Sequence, residues 1–294
     1  MRKSIIILSI CTVVLLLGYC SFRGYEVWKQ NHWMTLAKEF AAKGDGRDEY
    51  LCLQQVLRTS PKNVEACRLM ANVTEAAHSP EALAWRQRVL DLNPDSLDDR
   101  LALARSAVIF RDYAMATNTL AGIDAAGRAT AGYYNVAGAL AIAQNRLAEA
   151  EADFRQAVQL DPTNPLPKLN LAIVQLHGHN PQDMAQARLV LQQISQTSTN
   201  LIIRSQAERE LISDALQRKD NETALALSQK LARQNYALFT DKLLRLEVLD
   251  KTGNGAYPTE FAAVKREAAG QPQDLSALVI WLMERHQPGE ALAW

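Results

Sequence analysis

The stretch AEAEADFRQAVQLDPTNP, residues 148–165, decides the fold because it reads as one helix with a defined end. Pro162 forces the residue before it out of the helical region, so the helix must stop there. A looser copy, PEALAWRQRVLDLNPDS, begins at Pro80, and its Pro94 lies 68 residues before Pro162, which is twice 34. A helix and its terminator recurring at this interval predict an array of helical repeats.

The composition indicates a folded protein with no preference for nucleic acid. Of the 294 residues, 48% are hydrophobic and 22% charged, which is too apolar for a disordered chain. Lysine plus arginine and aspartate plus glutamate each number 32, so no net basic field attracts phosphate backbones. We therefore expect no nucleic-acid partner.

Residues 4–22, SIIILSICTVVLLLGYCSF, form an uncharged and largely apolar run with basic residues on both sides. A helix of this length rises about 28 Å, which just crosses the hydrocarbon core of a membrane. We predict that residues 1–24 are an N-terminal membrane anchor or uncleaved signal, with removal as a signal peptide or lipidation as alternatives. The short basic N-terminus favours a single-pass membrane protein with its N-terminus inside and the rest extracytoplasmic, that is, periplasmic.

Beyond Gly24 the sequence alternates between helical segments and short breaks rich in Gly, Pro, Asn and Asp. No segment shows the alternation of a β-strand, and no heptad continues across the breaks, which excludes a long coiled coil. The breaks lie at residues 43–47, 78–81, 161–165, 177–182 and 251–258. This pattern predicts an all-α protein.

The residue types within the 34-residue interval resemble those of the tetratricopeptide repeat family. The resemblance is most complete over residues 131–164, where the matching positions are Tyr134, Gly138, Ala150, Phe154, Ala157 and Pro162. In that family the small residues let helices approach closely and the aromatic residue fills the space between them. Two positions depart from the pattern: Arg86 replaces the aromatic residue of its repeat, and Arg128 replaces the terminating proline.

The resemblance implies an all-α, right-handed superhelix of antiparallel helix pairs, with about seven to eight units, over residues 25–294. The units are placed near residues 30–63, 64–96, 97–130, 131–164, 165–200, 201–236, 237–271 and 272–294. The last unit is incomplete, because GEALAW at 289–294 repeats PEALAW at 80–85 without the helix that follows there. Since an array normally ends in a capping helix, we expect the native chain to continue beyond residue 294.

The resemblance also implies that one face of the first helix of each pair lines a concave groove that binds a protein or peptide segment. The candidate groove residues are Lys38, Arg68, Asn72, Arg105, Asn135, Leu169 and Ile173. The charged members have a simpler explanation as a solvated face. The apolar members must be covered by something, either a ligand or later turns of the array itself.

No pattern of catalytic, cofactor-binding or metal-binding residues stands out in the sequence. Nucleotide-binding loops and the common hydrolase and metalloprotease motifs are absent, and His177 and His179 have no third metal ligand at a suitable spacing. Cys52 and Cys67 are expected to be buried as small apolar residues rather than joined in a disulfide. We therefore predict no enzyme activity, no cofactor and no metal site.

These observations predict a non-enzymatic, membrane-anchored scaffold for protein–protein interactions, held to the membrane through residues 4–22. The resemblance suggests a role in the bacterial cell envelope, in secretion, polysaccharide export or envelope assembly. Two alternatives stay open: the targeting half of a longer enzyme whose catalytic domain lies beyond residue 294, and a structural protein that self-assembles as a homo-oligomer.

Overall fold

The computed structural model describes residues 24–286 together with Gly289, and residues 24–286 contain helices and turns but no strand. They divide into two compact units, with the division between Arg146 and Leu147. The first unit contains α1 (24–43), α2 (Gly46–Thr59), α3 (Val64–Ala76), α4 (Glu81–Leu92), α5 (Leu97–Ile109), α6 (Tyr113–Ala121), α7 (Ala125–Arg128) and α8 (Ala131–Ala143). The second contains α9 (Leu147–Leu160), α10 (Pro165–Leu176), α11 (Pro181–Thr197), α12 (Leu201–Gln217), α13 (Asn221–Ala232), α14 (Phe239–Lys251), α15 (Tyr257–Ala268) and α16 (Pro272–Glu284). The all-α prediction is confirmed for this part of the chain.

Most helices begin at a short polar side chain that caps their free N–H groups. The carboxylate of Asp112 accepts from the backbone N–H of Met115, and Asn63 and Asp220 cap α3 and α13 in the same way. Such a cap satisfies a donor that the helix itself leaves without a partner, for about 1 kcal/mol. The helix starts therefore follow from local sequence.

A residue with left-handed backbone conformation recurs shortly after the end of α1, α3, α5, α8, α12, α14 and α16. These residues are Gly44, His78, Arg111, Asn145, Lys219, Gly253 and His286, with φ between 52° and 73°. Within the runs 44–145 and 219–286, consecutive members are 33 or 34 residues apart. The turn conformation thus repeats with the period expected from the sequence, and the connection after α10, where the sequence inserts HGHNPQ, lacks such a residue.

In the first unit the helices α2, α3, α4, α5 and α6 pack in succession, and α8 packs on both α5 and α6. One buried cluster joins α1, α2 and α3 around Leu53 and Met70, and another joins α5, α6 and α8 around Ala104 and Leu140. A single helix pair cannot bury its own apolar stripe, so this stacking supplies the core. We call the first helix of each pair an A helix (α1, α3, α5, α8, α10, α12, α14, α16) and the second a B helix (α2, α4, α6, α9, α11, α13, α15).

The second unit follows the same rule, with α9 to α16 packed in succession and the A helices α10 and α14 also contacting α12 and α16, respectively. Its core contains three clusters, around Leu191, Leu231 and Leu246. Phe154, on α9, is fully buried. Each unit is thus built from stacked helix pairs, while the superhelical course of the whole array stays a prediction.

The end of α6 shows what replaces the missing proline of the third repeat. The guanidinium of Arg128 donates to the carbonyl oxygens of Ile123 (2.8 Å) and Ala121 (2.6 Å), which lie at and just beyond the end of α6. The extra turn α7 then packs closely, and a Cβ atom on Gly127 would lie 2.6 Å from Cγ2 of Ile123. Arg128 therefore closes the turn by hydrogen bonding, where proline acts by removing a donor.

The two cysteines in the described region are free thiols. Cys52 on α2 and Cys67 on α3 are both buried, and burial raises the pKa of each thiol. A raised pKa keeps a thiol protonated and unreactive. The expectation that they act as small apolar residues is confirmed.

The predicted localisation, a single-pass membrane protein with a periplasmic array, requires correction. Among residues 24–286 no helix combines the length and the apolar character needed to cross a membrane, which overturns that localisation. The run at residues 4–22, predicted as the membrane anchor, lies outside the described residues. The incomplete last unit was inferred from GEALAW at 289–294, and most of this segment also lies outside the described residues.

Candidate protein-binding groove

Ion pairs connect successive A helices of the first unit on the face that the sequence analysis assigns to the groove. Nζ of Lys38 on α1 lies 2.6 Å from Oε1 of Glu65 on α3. Nε and Nη2 of Arg68 on α3 donate to the two carboxylate oxygens of Asp99 on α5, at 2.7 and 2.6 Å. Two of the predicted groove residues thus tie neighbouring A helices together.

The Arg68–Asp99 pair is asymmetric in its exposure. The side chain of Arg68 is 42% exposed, whereas that of Asp99 is 8% exposed. Hydrogen bonding from Arg68, and more weakly from Ser96 and Asn93, lowers the pKa of Asp99 despite the opposing effect of burial. Asp99 is therefore held as a buried anion by partners that surround it.

Asn72, which is itself exposed, belongs to a partly buried polar network centred on the buried side chain of Arg86. Nη2 of Arg86 donates to Oδ1 of Asn72 (2.8 Å) and to Oε2 of Glu75 (3.1 Å), and its Nε donates to Oγ of Ser106 (3.2 Å). The Ser106 hydroxyl in turn donates to Glu75. Arg86 therefore fills the position of an aromatic residue and joins α3, α4 and α5 through hydrogen bonds.

Arg105 is the predicted groove residue in the first unit whose charge stays available. It is exposed on α5, and no described residue forms a hydrogen bond or ion pair with its guanidinium. Ile109, one turn further along α5, is also exposed. Asn135, on α8, is half-buried and already makes a polar interaction.

Leu169 and Ile173 lie in the second unit, on α10. Leu169 is 1% exposed and belongs to the cluster that joins α10, α11 and α12, and Ile173 packs against the same cluster. The protein's own helices therefore cover both side chains. Of the two alternatives considered for the apolar positions, a ligand or later turns of the array, the structure shows the second here. Leu169 thus contributes to packing in the second unit.

The second unit contains an ion pair equivalent to Arg68–Asp99 that the sequence analysis missed. Nε and Nη2 of Arg209 on α12 donate to the carboxylate of Asp241 on α14, at 2.6 and 3.0 Å, and Asp241 is buried. The two pairs have similar sequence separations, 31 and 32 residues. An arginine on one A helix and an aspartate early in the next A helix form a sequence pattern that would have predicted this ion pair.

Further along the A-helix series, α16 exposes two large apolar side chains, Ile280 and Met283. Close to them in sequence, Arg285 pairs with Asp250 of α14 (2.7 Å) and lies over the ring of Trp281 at 4.3 Å. Ile280 and Met283 thus stay exposed on α16, which the sequence analysis did not predict.

Metal-ligating side chains do not cluster in the described part of the chain. No group of three or more His, Cys, Asp or Glu residues there is arranged to hold a metal ion. His177, considered as a ligand from the sequence, lies with Nε2 at 3.3 Å from Oε2 of Glu210, a contact between α12 and the end of α10.

Comparison with known families identifies one of these repeats directly. Residues 131–164 match the tetratricopeptide repeat. This is the segment in which the sequence analysis found the most complete pattern, and it contains α8 and α9. No curated protein sequence matches the chain.

Solved structures of tetratricopeptide repeat type share the fold. A tetratricopeptide repeat protein from Parabacteroides merdae matches with a TM-score of 0.56 at 14% identity, over 81% of this chain and 93% of that one. Yeast Tom70 matches with a TM-score of 0.55 at 14% identity, over 85% of this chain and 50% of Tom70. Pseudomonas aeruginosa PilF matches with 0.51 at 16% identity, over 77% of this chain and 99% of PilF. At such identities the likeness establishes the fold alone, that of stacked tetratricopeptide-type helix pairs.

Proposed function

We propose that the protein is a non-enzymatic scaffold that binds an extended segment of a partner protein along its A helices. The observation that carries the proposal is the A-helix face of α1, α3 and α5. There, ion pairs fix the neighbouring helices while Arg105 keeps an unpaired, exposed charge. A fixed surface binds with less entropy loss than one that must be ordered on binding.

The chemistry of this face indicates what the partner segment offers. Arg105 provides a guanidinium for a carboxylate or a backbone carbonyl. Because Oδ1 of Asn72 already accepts from Arg86, the amide NH2 of Asn72 is the group left to donate to the partner. Both positions therefore favour a segment that presents hydrogen-bond acceptors.

Site-specific photo-crosslinking tests the proposal. A benzophenone amino acid is placed at Ala76 on α3 and at Ile109 on α5 in separate full-length variants, which leaves Asn72 and Arg105 in place, and at Arg58 on the B helix α2 as a matched exposed control. The expected result is one shared crosslinked partner from positions 76 and 109, absent from position 58. Arg105→Glu in the Ala76 photo-variant should lower the crosslink yield about tenfold, since it replaces an attractive charge with a repulsive one.

Two results would contradict the groove. The same partner crosslinking equally from position 58 would show contact unrelated to the A-helix face. A yield that does not change with Arg105→Glu would show that this charge takes no part in binding.

A further inference from the structure

A pocket of about 320 Å³ opens in the second unit between the end of α13, the side of α14 and α15. Its charged and polar lining residues are Gln229, Arg233, Lys242, Arg245, Glu260 and Glu267. Four of these six stand on, or directly after, the B helices α13 and α15, whereas the proposed groove uses A helices of the first unit. The pocket is therefore a separate surface feature.

The most buried cation of the pocket is Arg245, which is 7% exposed and held in place by neighbouring helices. Its Nη1 donates to the carbonyl oxygen of Leu225 (2.9 Å) and to Oγ of Ser228 (3.1 Å). Its Nε and Nη2 donate to the two oxygens of Glu260, both at 3.3 Å. These last two distances exceed the roughly 2.7–2.9 Å of close charge-assisted bonds, so Glu260 compensates this charge loosely.

The remaining charges of the pocket leave one cation in excess. Lys242 is paired closely with Glu267. Arg233 is exposed directly after α13, and its side chain has no hydrogen-bond or ion-pair partner among residues 24–286. Three cations thus face two carboxylates, and each carboxylate already has a partner.

We propose that this pocket binds a carboxylate of an acidic partner segment, contacted by Arg233 and Lys242. A planar guanidinium matches a carboxylate with two parallel hydrogen bonds. A dianionic phosphate fits less well, because Glu260, Glu267 and the carbonyl end of α13 place negative charge around the same space. The excess of one positive charge therefore selects a monoanion.

Nuclear magnetic resonance titration of the full chain tests this site directly. The probe is the peptide acetyl-Glu-Glu-Glu-Glu-amide, and the observed signals are the Arg233 and Arg245 Nε–H resonances, assigned by their loss in Arg233→Gln and Arg245→Lys. We expect both signals to shift saturably with the glutamate peptide and to stay unmoved by the matched glutamine peptide. Arg233→Gln and Lys242→Gln should each weaken binding about three- to tenfold, a range that allows for solvent screening of exposed charges.

The controls separate this pocket from general charge attraction. Arg58→Gln removes an exposed arginine in the last turn of another B helix, α2, and should leave the affinity unchanged. Thermal melting of Arg233→Gln should match that of the wild type, since this side chain is exposed and unpaired. Lys242→Gln should lower the melting temperature by no more than about 2 °C, because it removes only a partly exposed ion pair with Glu267. Arg105→Glu should also leave the peptide affinity unchanged, which distinguishes this pocket from the groove.

Three outcomes would overturn the proposal. The first is no shift of either arginine signal at millimolar peptide. The second is an equal loss of affinity in Arg58→Gln. The third comes from a competition experiment in which inorganic phosphate or acetate is added to the peptide complex. If phosphate displaces the peptide at a concentration equal to or lower than the acetate concentration needed, the pocket does not select a monoanionic carboxylate.

Discussion

Replacing Asp99 with asparagine removes the buried charge that joins α3 to α5 while leaving the shape of the side chain nearly intact. In the wild type, Asp99 accepts from Nε and Nη2 of Arg68 at 2.7 and 2.6 Å and from Nδ2 of Asn93 at 3.0 Å. The asparagine cannot accept from all three, because one of its two positions is now a donor. At least one of these three hydrogen bonds is therefore lost, and the NH2 group of the new asparagine faces an N–H donor of Arg68 or Asn93.

The expected loss of stability is about 2–3 kcal/mol. Removing one partner of a buried pair costs about 3–5 kcal/mol when the remaining charge stays buried. Here the remaining charge is Arg68, whose side chain is 42% exposed and regains water, so the cost falls below that range. For a chain of this size the midpoint of thermal unfolding should fall by about 3–5 °C.

The assay is thermal and urea unfolding followed by circular dichroism at 222 nm, with Asp98→Asn as the matched control. Asp98 is the exposed neighbour on α5, so its substitution should change stability by less than about 0.5 kcal/mol. The double variant Arg68→Met/Asp99→Leu should recover most of the loss, because it removes both charges together.

The pH dependence supplies an independent check on the cause. The pKa of Asp99 is lowered in the folded state, so its contribution is complete above the unfolded value of about 3.9 and is lost as the pH falls through the lower folded pKa. The stability difference between wild type and Asp99→Asn should therefore stay constant from pH 7 to about pH 5 and shrink below about pH 4. A difference below 0.5 kcal/mol at pH 7, or one that grows on acidification, would refute the reasoning.

Three further substitutions test the turns and the core. Lys219→Gly should stabilise the protein by about 0.5–1 kcal/mol, because φ is +60° there. The control Gln206→Gly, at an exposed position inside α12, should cost about 1 kcal/mol in the same urea titration. Gly127→Ala should cost about 1–3 kcal/mol, since the new Cβ would lie 2.6 Å from Cγ2 of Ile123; an unchanged urea midpoint would contradict the close packing of α7. Phe154→Ala should cost about 3–5 kcal/mol, because the ring is fully buried, and a loss below 1 kcal/mol would contradict its place in the core.

The helices and their period were predictable because the signals that produce them are local. A capping side chain such as Asp112 or Asn63 acts on N–H groups two or three residues away, and Pro162 acts on the residue before it. The left-handed turn residues were visible only in part, since Gly44 and Gly253 are natural there but Arg111 and Lys219 are not.

The sequence predicted which face of the A helices the candidate residues occupy, but it did not predict which residues they pair with. Lys38, Arg68 and Asn72 were identified from their positions on A helices, but their partners stand 27, 31 and 14 residues away in sequence. A contact at such a separation depends on how the helices stack, which a period alone does not specify. For the same reason Arg209 and Asp241 were missed.

The sequence by itself determined that this chain folds into helix pairs with a 34-residue period, because helix propensity, capping and proline termination act within a few residues. The tertiary structure alone decided which polar side chains serve the fold and which stay available. Stacking buries Arg86 among hydrogen-bond partners and covers Leu169 with α11 and α12, while it leaves Arg105 and Arg233 exposed. The physical reason is that burial and charge pairing depend on distances between helices far apart in the chain.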